Sequence, residues 1–436
     1  MINEMDKNDE LMKDVRDIKE DVSWIRRFLE STKMFFEKQA YRMNVVSRWL
    51  VGLVFIFSAF VKGVDPMGTM FKVEEYMSSW TLFGMTFEWA HPLAGVLSVA
   101  LVCAEFLVGV MLIFNAFRVL SSWLLVLMMT FFTCTTFFDA VTGLVDDCGC
   151  FGDAIKLTNW QTFWKNVVLD VFTVVIFLTR KVRYRRRLER DVVVVLVALA
   201  AILVFCIYNI KHEPVIDFRP WKVGKSMVMR QEPMNYLKYK NLETGEEVEL
   251  RYKNGEWKNE WDQYTEDEAH WEFVESGTTP EFVVLADGFS MLAPDEQGNL
   301  STEQTLNILP DSNGVLFVTI YDLEKVDEEG VQEVKDAVTL VDDLNKAGHE
   351  MRIVLLTSMS RNIHDNPLEK VQAWLSDNEI EGIRVNVLDV EGDNNVYFAD
   401  ATAIKTIMRG NPGFMYMENG VVVDKGRKAE KLEIKK

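Results

Sequence analysis

Apolar runs at about 44–62, 91–114, 119–138, 160–179 and 192–210 punctuate the first half of the chain. Each approaches the ~20 residues that a helix needs to cross the hydrocarbon core of a bilayer, so each predicts a membrane-spanning helix. Before them, Leu11, Val15, Ile18, Val22, Ile25 and Leu29 follow one another at spacings of 4, 3, 4, 3 and 4, with charged residues between. That is a heptad seam. It predicts either a short coiled coil pairing two copies or an amphipathic helix lying on the membrane or on its own protein. From 230 to 275 short alternating segments appear, at 236–240 and 247–252, with turn signals at 243–245 and 253–255, and these predict small antiparallel hairpins. After Thr279-Pro280 strands and helices alternate: strands at 282–285, 315–321, 352–357, 384–388, 414–417 and 421–424, and helices near 328–347, 367–377 and 396–408. Such alternation predicts an α/β sandwich around a mainly parallel sheet.

Five spans place the two ends of the chain on opposite sides. Residues 180–190, RKVRYRRRLER, carry seven basic side chains in eleven positions, which predicts a cytoplasmic loop. Arg42 and Arg48 at the start of the first span agree with it. Counting outward, the loops at 63–90 and 139–159 and everything from 211 onward are expected outside the cytoplasm. The charge-rich stretch before the first run has no signal-peptide form, and no small-residue cleavage site follows, so that run is expected to stay as a helix. The resulting division is a cytoplasmic helix (1–43), a four-helix bundle (44–179), the basic loop (180–190), a fifth span (191–211), a small β-rich linker (212–275) and an extracytoplasmic domain (276–436).

Charge sharpens this division. Residues 211–436 contain 25 basic and 44 acidic side chains, so the net charge of −19 resides there. Such a field repels nucleic acid and anionic headgroups, which argues against a nucleic-acid role, and it mainly reports solubility, marking this part as the water-soluble one. Of five cysteines, Cys103, Cys134 and Cys206 fall inside apolar runs, where a thiol behaves as a small hydrophobe.

The remaining two, Cys148 and Cys150, sit in the outer loop Cys148-Gly-Cys-Phe-Gly-Asp153. One residue between cysteines closes a small, strained ring, and strained disulfides are the more oxidising and labile ones. Gly149 supplies the backbone freedom such closure needs. Thr158-Asn-Trp-Gln161 has the form of a capping box and is expected to start the fourth span. A nearby helix start lowers a thiol pKa, whereas Asp146, Asp147 and Asp153 raise it. Three readings stay open: a redox-active pair, a structural disulfide, or metal ligation with a further ligand such as His91. Glu105, in the middle of the second span, is costly unless paired or facing a cavity, so it is either a functional group or a protonated acid bonded to a neighbouring helix. Asp170 in the fourth span is similar. Lys62 is placed to reach the headgroups, and Asp65-Pro66 to end the first helix.

Taken together, Arg48-Trp-Leu-Val-Gly-Leu-Val-Phe-Ile-Phe-Ser58, Lys62, Asp65-Pro66, Glu105 with Gly109, and CGCFG at 148–152 resemble the DoxX and MauE-like membrane family. This resemblance covers about 44–179 and is strongest at CGCFG. It implies a four-helix bundle similar in outline to vitamin K epoxide reductase, which exchanges electrons between thiols and a quinone, and hence a redox or assembly role in the bacterial cell envelope. Here the reductase's CxxC is CxC, and a second loop pair is missing. The last domain is similar to thioredoxin-like folds of the peroxiredoxin and TlpA type, through Thr279-Pro-Glu-Phe282 to Gly288 and through Asn411-Pro412-Gly-Phe414, which matches the loop bearing the family's cis-proline. Where that family carries CxxC, this chain has Asp322 to Gly330, and it has no cysteine beyond Cys206. Thiol exchange by this domain is therefore excluded, and docking is expected instead. The leading expectation is an inner-membrane redox protein acting through Cys148 and Cys150, with a quinone near Glu105 and Lys62. The competing ones are a non-enzymatic scaffold whose last domain binds an envelope protein, and a small-solute carrier using Glu105.

Overall fold

The computed structural model describes residues 2–82, 85–145, 149–182, 187–253, 256–257, 270–286, 288–295, 299–359, 366–385 and 395–434, and among residues 2–30 the course of the backbone alone. Two compact units divide the chain, Met1–Asp217 and Phe218–Lys436.

In the first unit the heptad segment and the first span are one helix, α1 (Ile2–Val64). Asp65-Pro66 ends it, as expected, and does something further. The Asp65 carboxylate accepts from the Gly68 amide at 2.9 Å and Pro66 opens a second helix, α2 (Pro66–Ser79), which the sequence reading left as loop. The other spans are α3 (Ala94–Phe114), α4 (Arg118–Thr142), α5 (Asn159–Leu178) and α6 (Leu188–Lys211). Among the described residues five helices are long and apolar enough to cross a membrane, and they fall on the five apolar runs. Thr158 and Gln161 form the expected capping box at the start of α5.

Close packing of α1 on α3 depends on two glycines. A Cβ at Gly52 would lie 3.0 Å from the Gly109 carbonyl oxygen, and one at Gly109 would lie 2.9 Å from that of Gly52. Only hydrogen fits at both positions, so the two backbones touch. One end of the bundle is held by buried polar groups: Arg118 donates to the carbonyls of Thr179 and Val182, both at 2.9 Å, Asn44 to Thr179 Oγ1 at 2.8 Å, and Arg48 to the Asn115 side chain. Arg48, read from sequence as a flanking charge, is thus a buried crosslink between α1 and the turn after α3. Cys103 and Cys206 lie in one apolar cluster with Ala59, Val102 and Ile202.

The second unit begins with β1 (Val228–Arg230) and a meander of β2 (Asn235–Asn241), β3 (Glu247–Lys253) and β4 (Trp271–Thr278), followed by β5 (Phe282–Val284), which pairs with β1. The turn at 243–245 is present, with Gly245 in the left-handed region; the one at 253–255 lies largely outside the described residues. Its main sheet comprises β6 (Leu292–Pro294), β7 (Leu300–Glu303), β8 (Val315–Ile320), β9 (Arg352–Ser358), β10 (Val396–Ala399), β11 (Gly413–Glu418) and β12 (Val421–Gly426) in the spatial order β7-β6-β10-β9-β8-β11-β12. The pairs β8/β9 and β9/β10 are parallel and the others antiparallel. Every residue of β8 is buried because both faces are covered. Leu316, Val318 and Ile320 pack against α7 (Glu328–Lys346) and α8 (Pro367–Asp377). Val315 and Phe317 face a second core with Trp221, Phe289 and α9 (Ala401–Ile407).

One sequence-derived element is corrected here. The helix expected over 396–408 begins only at Ala401; Val396–Ala399 is a strand, β10, fully buried and paired in parallel with β9. Consecutive Val-Tyr-Phe suits a central strand, and Asp400 caps the helix that follows by accepting from the Thr402 amide at 2.8 Å. Most of the strand expected at 384–388 lies outside the described residues.

Candidate functional site

Within the membrane unit, the polar side chains of α1 and α3 converge on one point. Ser58 and Lys62 are one helical turn apart and so share a face of α1. Glu105 faces them from α3. Lys62 Nζ donates to Glu105 Oε1 at 2.5 Å, and the two residues are only 7% and 1% exposed. The Ser58 hydroxyl lies 2.9 Å from Glu105 Oε2 and 2.8 Å from the carbonyl oxygen of Cys150. Lys62 Nζ also stands 5.6 Å over the Phe132 ring of α4. An ammonium, a carboxylate and a hydroxyl inside a bundle are tolerated because each satisfies another.

The loop carrying CGCFG folds down onto this cluster. Gly149 and Gly152 both have positive φ, and the Gly152 amide donates to the Gly149 carbonyl at 3.0 Å, closing a tight turn around Cys150. A Cβ at Gly152 would come within 3.3 Å of Val61 Cγ1 on α1. Phe151 meets the Phe57 ring at 5.5 Å, and Lys165 of α5 lies 4.5 Å above it. A small cleft between this loop and α5 is lined by Gly149, Cys150, Gly152, Ile155 and Thr162. Cys148 lies outside the described residues, so the geometry of the pair is given by Cys150 alone.

Chemically, Ser58 has one hydroxyl proton for two acceptors, a Glu105 carboxylate oxygen and the Cys150 carbonyl, so this hydroxyl links the buried ion pair to the backbone of the thiol loop.

Other sequence candidates lie elsewhere. Asp170 accepts from Thr133 Oγ1 at 2.8 Å, and His91 pairs with Ser78 Oγ at 3.1 Å. Among the described residues no group of three His, Cys, Asp or Glu side chains is placed to hold a metal ion. Phe132 was not singled out from the sequence, and Ser58 entered only as the end of the Arg48–Ser58 motif, with no site role. The signal for Ser58 was there, as a polar residue four positions before Lys62 in an otherwise apolar span. In the second unit the Asn411–Pro412 peptide bond is cis, and the Asn411 side chain clasps the end of β8, accepting from the Tyr321 amide at 2.9 Å and donating to the Asp322 carbonyl at 2.6 Å.

Five helices long and apolar enough to cross a membrane, among the described residues, mark a multi-pass integral membrane protein. Residues 41–180, spanning α1 to the end of α5, match the family model described as methylamine utilisation protein MauE, so this part of the chain is similar to that membrane family. No curated protein and no solved structure matches the chain.

Proposed function

We propose that this protein is a thiol redox protein of the bacterial inner membrane, in which Cys148 and Cys150 exchange electrons on the outer side. The observation that carries this reading is the seating of the Cys150 backbone on the buried Ser58, Glu105 and Lys62 cluster. An inert surface staple has no need of a desolvated ion pair beneath it, whereas a thiol pair that gains and loses protons with electrons has a use for one. Oxidation of two thiols to one disulfide releases two electrons and two protons. A quinone takes up both to become a quinol, or a partner's disulfide takes them up to become a dithiol. For a quinone acceptor, Lys62 and Glu105 are the residues that would face it, and their ion pair would have to open to receive a quinone carbonyl.

The basic stretch 180–190 supports an orientation with the N-terminus in the cytoplasm and the second unit outside. Outside is also where a disulfide persists. In the second unit, Gly330 at the first turn of α7 abuts Pro412, since a Cβ at Gly330 would lie 2.7 Å from Pro412 Cδ. That contact, the parallel β8-α7-β9 crossover and the antiparallel β11/β12 pair support a thioredoxin-like reading with Pro412 in its structural role. Without cysteine this unit docks an envelope partner for the membrane thiols.

Trapping tests the proposal. In membranes bearing Cys148→Ser or Cys150→Ser, the remaining thiol is expected to hold a mixed disulfide with a second protein, identifiable by mass spectrometry. If neither variant gives an adduct and both cysteines can be lost without consequence for envelope thiols, the scaffold reading replaces this one.

A further inference from the structure

The heptad seam of residues 11–29 is not confined to the part of α1 that precedes the membrane. Continuing the same frame along the helix brings it to Met43, Val46, Leu50, Leu53, Phe57 and Phe60, at spacings of 3, 4, 3, 4 and 3. All six are exposed, Val46 at 62% and Leu53 at 54%, whereas Asn44, Ser47, Val51, Phe55 and Ala59 point into the bundle. One unbroken helix thus carries the apolar stripe in two stretches, 11–29 and 43–60, with Thr32, Phe36 and Gln39 between them in the same frame; the first must be shielded from water, and the second stays largely exposed although Phe60 stacks on Phe205 of α6.

We propose that a second copy of this chain covers the stripe, the two α1 helices running parallel along nearly their whole length. Parallel orientation is imposed by the shared membrane topology of identical chains. Charge complementarity identifies the occupant as the chain itself. In the heptad frame Asp14 and Asp21 occupy g positions, and Lys19 and Arg26 occupy the e positions five residues on. In a parallel pair, g of one helix faces e of the next heptad of the other, so Asp14 meets Lys19 of the second copy and Asp21 meets Arg26. Each pairing occurs twice by symmetry. Val15 and Val22 at a positions suit a two-stranded seam. A straight helix drifts by ~20° per heptad against a seven-residue repeat, and a left-handed supercoil of the pair absorbs that drift. Phe57 belongs to the stripe and also meets Phe151 of the thiol loop, so the pairing surface reaches the redox site although the inference does not depend on it.

The test uses full-length protein in lipid membranes. A photocrosslinking phenylalanine analogue at Val46, Leu50 or Leu53 is expected to give covalent dimer on irradiation, and the same analogue at the lipid-exposed Leu127 of α4 or Val171 of α5 is expected to give none. In parallel, Asp14→Lys/Asp21→Lys and Lys19→Asp/Arg26→Asp chains should each lose self-association by about tenfold, because every facing pair becomes repulsive, and mixing the two should restore association as a heterodimer. Equal crosslinking from all lipid-exposed positions, seam positions reacting with lipid or another protein alone, or failure of the mixed pair to associate would each overturn the proposal.

Discussion

Lys62 on α1 and Glu105 on α3 meet through a 2.5 Å contact inside the bundle, and Ser58 extends that pair to the backbone of Cys150. An ion pair so enclosed is held by mutual satisfaction, since both side chains are almost wholly buried. Two helices and the thiol-bearing loop therefore share one electrostatic unit.

Removing half of the pair tests this directly. Lys62→Met leaves a carboxyl group without its cation, and Glu105→Gln leaves an ammonium without its anion. Each is expected to lower stability by about 3 kcal/mol, whereas the double variant should lose less than the sum of the two. Equilibrium unfolding in mixed micelles measures all three, and strict additivity would mean that the residues do not act as a pair.

Ser58 should matter for the thiols more than for the fold. Ser58→Ala removes the proton shared between Glu105 and the Cys150 carbonyl, so the ratio of oxidised to reduced loop thiols is expected to shift. Ser58→Thr, which keeps the hydroxyl, should restore it. An unchanged ratio in the alanine variant would uncouple the cluster from the loop.

Which parts were legible in the sequence follows from what kind of signal each carries. The five spans were visible because a bilayer imposes length and apolarity locally, and the capping box at Thr158 because it is a four-residue device. Glu105 and Lys62 stood out separately as charges in apolar runs, but their meeting depends on how α1 crosses α3, a relation across 43 positions that no local pattern encodes. Helix α2 was hidden because Asp65-Pro66 signals both an end and a beginning. The strand at Val396 was absorbed into the helix after it, since a short apolar run reads equally well as either.

Gly109 provides a packing test. A leucine there must push the Gly52 carbonyl away, and Gly109→Leu is expected to destabilise the bundle by about 1–3 kcal/mol, with Gly109→Ala intermediate. Thermal unfolding of the purified proteins in lipid discs gives the order. A neutral leucine variant would show that α1 and α3 are not in backbone contact.

Residues 218–436, produced alone, are expected to fold as a mixed α/β unit, since they enclose both cores of the main sheet. Phe317→Ala, at the centre of β8, should cost about 3–5 kcal/mol in a denaturant titration. The same fragment should not reduce insulin, because it has no thiol. Measurable reduction would contradict the docking role.

The redox reading itself rests on one quantity, the oxidation state of Cys148 and Cys150 in living cells. Thiol labelling of the full-length membrane protein, resolved by mass spectrometry on the peptide containing both Cys148 and Cys150, is expected to find a partly oxidised pair whose ratio moves with electron-acceptor supply or quinone depletion. Serine at either position should abolish the movement. Thiols that stay fully reduced, or a bond that stays fully formed under every growth condition, would contradict it.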